Sequence, residues 1–193
     1  MWQHQKHRPE VWVEKDAAIG VIEAVCDELD VPYFSCRGYT SSSAMHEAAK
    51  RIKAYAMRGQ IPVIFHLGDH DPSGVQMSED IQNRLRRFRV HGLEFRRLAL
   101  NQDQIEEYAP PPPNPAKETD ARYRGYVAVY GEECWELDSL RPEVLADLIR
   151  EAVLEIRDES QYQHDRARED RDRELLEQCS EHWPGVVDFL EGL

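Results

Sequence analysis

Long apolar runs are missing from this chain. No stretch approaches the roughly 20 consecutive apolar residues that a bilayer span needs, so a transmembrane helix is not expected. The N-terminus, MWQHQKHRPE, has no apolar segment of the kind that directs secretion, and a cytoplasmic location with no membrane partner is the expectation. Cysteine is sparse and unpaired in spacing: Cys26, Cys36, Cys134 and Cys179 form no CxxC motif. That argues against a zinc site or a disulfide-stapled scaffold and leaves ordinary reduced thiols. Positive charge is also scarce, with 24 Lys and Arg against 37 Asp and Glu and a net charge of −13. Such a chain repels a phosphate backbone on average. The cations are unevenly spread, however, and Arg84, Arg86, Arg87, Arg89, Arg96 and Arg97 make one basic stretch. No internal repeat is visible.

What remains is a globular composition: 41% hydrophobic and 32% charged over 193 residues, enough for one sizeable core with an appended helical piece. Val11-Trp12-Val13, ending at Glu14, reads as a strand buried on both faces, as in a parallel sheet. Asp16 is placed to cap a helix carrying Ile19, Ile22, Val25, Cys26 and Leu29. A short strand from Pro32 to Cys36 and a helix from about Ala44 to Met57 follow. Pro62–Leu67 is the strongest strand, succeeded by the loop Gly68-Asp69-His70-Asp71-Pro72-Ser73-Gly74 and a helix to about Phe88. Leu93–Leu100 makes a fourth strand. Strands alternating with helices predict an α/β, three-layer, Rossmann-like fold around a mostly parallel sheet of about four strands. Beyond Asn101 the pattern predicts a brief helix over Gln102–Tyr108, a polar loop over Asn114–Arg124, a strand over Tyr126–Tyr130 and a helix from Arg141-Pro142. The mixed-charge tail from Asp158 reads as an exposed helix followed by a short apolar one after Trp183-Pro184. The expected division is residues 1–157 as the α/β domain and 158–193 as a charged helical tail.

The chemistry concentrates in three acids. Asp69-x-Asp71 directly follows a buried strand and so lies at the carboxyl edge of a parallel sheet, where ligands bind in open α/β folds. Glu14 ends the first strand on the same edge. Three carboxylates there would repel one another and rise in pKa unless a cation neutralises them. Mg²⁺ (or Mn²⁺), hard and oxygen-seeking, suits such a set and can polarise a phosphodiester. Asp, Pro and Gly also form plain turns, and that reading of the loop stays open.

VEKDAAIGVIEAV followed by VIFHLGDHDPSGVQM resembles the TOPRIM domain of topoisomerase VI A subunits and the related meiotic double-strand-break proteins. Arg37-Gly38-Tyr39 is similar to that family's Gly-Tyr turn after the second strand. LNQDQIEEY and Trp135-Glu136-Leu137-Asp138-Ser139-Leu140 extend the resemblance more softly to about Arg157. The resemblance implies a TOPRIM fold with Glu14 as general acid/base or metal ligand, Asp69 and Asp71 as Mg²⁺ ligands, and Glu136 as a further metal candidate. It departs from the family in that only thirteen residues precede Glu14 and none is tyrosine, so Tyr-linked strand cleavage by this chain alone is not expected.

Weaker signals surround these. His66 and His70 flank Asp69 as ligands or relays, or as packed core histidines. Lys15, Arg37 and Lys117 are candidate phosphate clamps. Thr40-Ser41-Ser42-Ser43 is either a phosphate cradle or a set of helix caps, and the Asn114–Asp120 loop is placed to fold over the site. Two functions follow. One is Mg²⁺-dependent phosphodiester chemistry on nucleic acid, most naturally DNA, as a nuclease or a subunit of a cleavage or repair machine. The other is a non-catalytic TOPRIM-fold binding module acting in a complex. A haloacid-dehalogenase-type phosphohydrolase places its Asp-x-Asp after the first strand, not the third, and is set aside. The charge balance and the tail predict a protein partner or homodimer.

Overall fold

The four expected strands form, the first starting earlier in the chain than its apolar run. β1 (His7–Val13), β2 (Tyr33–Ser35), β3 (Ile61–Leu67) and β4 (Glu94–Ala99) form one all-parallel sheet in the order β2-β1-β3-β4. This comes from a computed structural model, which describes residues 2–36, 41–108, 110–111 and 113–192. The register pairs Trp12 with His66 and Val13 with Leu67, so β1 and β3 end level with each other.

Helices cover both faces. α2 (Ser42–Met57) and α3 (Pro72–Arg87) close one core around Trp12, Ile64, Met45, Ile52, Met77, Ile81 and Leu85. α1 (Ile19–Leu29) packs against α6 (Pro142–Ile156), and α6 also lies on β1 and β4, which makes the second helical layer. The α/β, three-layer, Rossmann-like architecture is therefore as the sequence predicts.

The strand order fixes where a ligand belongs. β1 connects through α1 to β2 on one side, while β3 connects through α3 to β4 on the other. Right-handed crossovers in opposite directions put their helices on opposite faces. The chain thus parts between β1 and β3, and the crevice above their carboxyl ends is the switch point where α/β sheets bind ligands.

Within this sheet-bearing part, local details differ from expectation. Asp16 does not cap a helix; Asp16–Ala18 is a 3-10 turn with Lys15 at its N-cap position, and α1 starts at Ile19. Tyr126–Tyr130 is not a strand but lies in α5 (Tyr123–Tyr130). The Tyr126 hydroxyl lies 3.0 Å from the carbonyl of His70 and 2.9 Å from that of Glu133, its one proton shared between them, a tertiary tether that overrides the strand propensity of Tyr-Val-Ala-Val-Tyr. The polar loop after α4 (Gln102–Tyr108) contains β5 (Asn114–Pro115), paired antiparallel with β6 (Glu133–Cys134).

The chain divides into two compact units, Lys6–Ile156 and Met1–Gln5 together with Arg157–Leu193. In the second unit α7 (Glu159–Glu191) is capped by Asp158, whose carboxylate accepts from Gln161 N–H at 3.0 Å. His4 Nδ1 lies 3.0 Å from the Asp165 carboxylate, and the Gln5 amide exchanges hydrogen bonds with the Asp158 backbone. α7 runs through Pro184 without interruption, so there is no separate apolar helix after Trp183. Its last turns expose Leu175, Leu176, Trp183, Val186, Phe189 and Leu190. No helix among the described residues is long and apolar enough to cross a membrane.

Candidate functional site

Glu14 is the first residue beyond β1, and its N–H donates to Leu67 O at 3.0 Å. Gly68 continues β3: its N–H donates to Ala99 O and its carbonyl accepts from Leu100 N–H, each at 2.8 Å. The ends of three strands are thereby tied at one level. The Glu14 carboxylate lies across Gly68, where an added Cβ would stand 2.7 Å from Glu14 Oε2. That oxygen is buried and has no hydrogen-bond partner. Burial, then the charges of Asp69 and Asp71, push the Glu14 carboxyl up to about 7, against the opposing pull of Arg97 and the Asp69 N–H.

Each residue of Asp-x-Asp-Pro-x-Gly has a mechanical task. Asp71 is the N-cap of α3, its Oδ1 accepting from Gly74 N–H at 2.6 Å, and Pro72 opens the first turn. Gly74 lets that turn rise under the loop; a Cβ there would meet Asp69 O at 2.3 Å. Asp69 Oδ1 accepts from Leu137 N–H at 2.7 Å, which draws the segment after β6 over the site. Burial raises the Asp69 pKa, with Asp71 and Glu136 adding to it, while the Leu137 hydrogen bond and Lys15 oppose. His70, the intervening residue, exchanges backbone hydrogen bonds with Trp135 at 2.8 and 3.0 Å.

Beneath the loop lies Arg97, the last residue of the basic stretch. It is the internal brace. Its guanidinium donates to the carbonyls of Asp69 at 2.6 Å, Gly74 at 2.9 Å, Gly68 at 3.0 Å and Leu100 at 3.2 Å, and to Ser78 Oγ at 2.8 Å. The signal was strand parity: Arg97 pairs with His66 and sits two residues from Phe95, which packs against the core.

The other candidates sort clearly. Lys15 Nζ is held by Glu136 and, at 2.8 Å, by Asp138; burial pulls its pKa down but those two carboxylates outweigh it and hold it above its usual value. Lys15 is therefore an engaged ion-pair partner, and Glu136 is turned to it. His66 is fully buried, 3.0 Å from Ser78 Oγ, and burial with the nearby Arg97 charge brings it down to about 3. His70 is also buried, its Nδ1 3.3 Å from Leu100 O, among Tyr126, Tyr130 and Trp135. Both are core histidines. Ser41 caps α2 by accepting from Ala44 N–H at 3.2 Å, and Arg37, Gly38, Tyr39 and Thr40 lie outside the described residues. The Asn114–Asp120 loop does fold beside the site: Asn114, Lys117 and Asp120 line a cleft of about 420 Å³ together with Asp71, Trp135 and Glu136.

Among the described residues, no three His, Cys, Asp or Glu side chains converge into a ready metal ligand set. Glu14, Asp69, Asp71 and Glu136 share the edge, but each aspartate turns one oxygen to a backbone N–H and Glu136 turns to Lys15. The basic stretch is not one surface either. Arg84 pairs with Asp80, Arg96 with Glu94 and Glu155, and Arg97 faces inward. Arg86, Arg87 and Arg89 are exposed at or just past the far end of α3, whose 16 residues run about 24 Å away from the acidic loop. The chain matches no protein-family model, no curated protein and no solved structure.

Proposed function

We propose that the β1–β3 crevice is a TOPRIM-type site in which Glu14, Asp69 and Asp71 hold Mg²⁺ or Mn²⁺ for phosphodiester chemistry on nucleic acid. The observation that carries this reading is Glu14 Oε2, buried without a hydrogen-bond partner at the switch point of the sheet beside two aspartates. A buried polar atom without a partner costs free energy. An all-oxygen anionic donor set is what a hard divalent cation prefers. Asp69 and Asp71 fit the ion in the same sense: each commits Oδ1 to the backbone, and Oδ2 has no partner among the described residues. When bound, the ion would polarise the phosphodiester and offset negative charge building on its oxygens. Glu14, a carboxyl that titrates near neutrality, is suited to take or give a proton. Arg97 pins the loop carbonyls, so the carboxylates are held in place before substrate arrives.

Asn substitutions test this cleanly. Asp69→Asn and Asp71→Asn keep the acceptor that Leu137 N–H and Gly74 N–H need, so the fold survives while the charge goes. Calorimetry should show Mg²⁺ binding by the native chain and its loss in the double variant; unchanged binding there removes the assignment. A second reading, a binding module without turnover, draws on the absence of a ready ligand set among the described residues. Metal-dependent strand cleavage by the native chain but not by Glu14→Gln separates the two. The exposed apolar side chains at the end of α7 support docking of a protein partner or second copy, which sedimentation of the chain with and without residues 175–193 tests.

A further inference from the structure

Beside the carboxylates, the cleft of about 420 Å³ is of ligand size and is bordered by one large aromatic ring. Trp135 is locked in place. Its backbone is bridged to His70, the residue between Asp69 and Asp71, and its indole N–H donates to Pro111 O at 3.2 Å. The ring's polar edge is thus satisfied and its rotamer fixed. The indole also borders a neighbouring cleft of about 320 Å³ towards Asp138, and it is only half-buried. Charge in the larger cleft is partly cancelled: Asp120 is paired with Arg122 at 3.3 Å and Glu136 with Lys15. Lys117 stands exposed on the loop that lines it.

Resting on the reading of the β1–β3 crevice as a nucleic-acid site, we propose that this cleft takes one unpaired nucleotide, its base stacked on Trp135 and its phosphate held by Lys117 beside Asp71. A base inside a duplex already has both faces covered by its neighbours; only a single-stranded, terminal or extruded base offers a face to an aromatic ring. The cleft's size suits one nucleotide and not a paired helix. The position also couples recognition to chemistry, because the ring is fastened to the same loop that carries Asp69 and Asp71. A net charge of −13 points the same way, since stacking captures a strand without a broad cationic surface.

The test uses the full chain with a thymidylate tetranucleotide, an abasic tetranucleotide and a blunt DNA hairpin, in EDTA and with Ca²⁺ replacing Mg²⁺ to stop turnover. Tryptophan emission and calorimetry report binding. The tetranucleotide should quench emission, and Trp135→Ala should weaken it about ten-fold or more while Trp135→Phe stays within about three-fold. The abasic strand and the hairpin should bind both forms alike and weakly. Lys117→Ala should lower the slope of log K against log salt by about 0.7, the loss of one single-strand phosphate contact. A Trp135→Ala protein with native circular dichroism that binds the tetranucleotide like the parent overturns the assignment, as does a hairpin bound as tightly as the single strand. Mg²⁺ titration of the Asp69→Asn/Asp71→Asn variant reads the parent hypothesis separately. Metal binding lost there but no dependence on Trp135 sinks the nucleotide cleft alone, whereas Trp135-dependent binding without any metal site sinks only the metal reading.

Discussion

Replacing Glu14 by Gln should stabilise the metal-free protein at pH 8 and leave it nearly unchanged at pH 4.5. The folded state holds the Glu14 carboxyl at about 7 against an ordinary 4.5. Because the folded value is raised, the folded state binds the proton more tightly than the unfolded chain. Its contribution is therefore complete below about 4.5, declines as pH rises from there to about 7, and is gone above. At about 1.4 kcal/mol per pKa unit the shift amounts to ~3 kcal/mol. Solvent reaching the crevice screens the carboxyl, and about 2 kcal/mol is the expected size. Gln keeps the shape and removes the charge, so the variant should not show this decline. The two proteins should diverge by ~2 kcal/mol between pH 4.5 and 8, or roughly 4–8 °C in melting temperature for a chain of this size. Thermal and urea unfolding in EDTA across that range measures it. If the variant parallels the native protein at every pH, Glu14 does not carry a raised pKa and the crowded-carboxylate reasoning fails. Saturating Mg²⁺ should then favour the native chain at pH 8 through mass action and do little for the variant.

Other perturbations separate turn from charge. Asp71→Ala removes the cap on α3 and should cost about 1 kcal/mol in urea unfolding, while Asp71→Asn, an equally good cap, should cost little. Gly74→Ala drives a Cβ to 2.3 Å from the Asp69 carbonyl and should destabilise the fold by ~2 kcal/mol or more. Gly68→Ala brings a Cβ to 2.7 Å from Glu14 Oε2 and 3.1 Å from the buried His66 ring, and should displace the Glu14 carboxylate, cost about 1 kcal/mol or more and weaken Mg²⁺ binding in calorimetry. Arg97→Leu takes a donor from four carbonyls, of which Gly68 O keeps Leu100 N–H, and should cost ~3 kcal/mol, whereas Arg87→Ala on the surface should change stability by under about 0.5 kcal/mol.

The fold was legible where one physical signal dominated. Most of β3 and the last three residues of β1, Val11–Val13, are apolar runs of the kind a strand buried on both faces requires, whereas the first half of β1, His7–Glu10, was not legible because its buried Glu10 is paired with Arg51 from a distant helix. Their ends, Glu14 and Asp69, followed from the same boundaries. Tyr123–Tyr130 was illegible because aromatic and β-branched residues favour a strand locally, and only the distant carbonyls of His70 and Glu133 reveal why the helix wins. The role of Arg97 was illegible because a run of cations carries no local sign that one of them turns inward. Its burial depends on carbonyls spread from Gly68 to Leu100, which no local pattern encodes. Trp135 likewise acquires its place through a bridge to a residue 65 positions earlier in the chain, His70.

The loop Asp69–Gly74 was open in sequence between a plain turn and a metal site; its geometry shows the turn and is compatible with the proposed metal. A carboxylate has two oxygens, and Asp69 and Asp71 each give one to a backbone N–H that only the folded loop presents. Those bonds orient the remaining oxygen without consuming it. Glu14 completes the set from another strand, and its Oε2 receives no donor at all. A loop built only to turn the chain would gain nothing from a third carboxylate packed against it in a buried crevice, since that charge raises the free energy of the folded state. Arg97 offsets part of this from below while aiming its five hydrogen bonds at carbonyl and hydroxyl oxygens rather than at the carboxylates. The fold therefore crowds three carboxylates at the switch point at a cost in stability, a cost that the proposed cation would offset on binding.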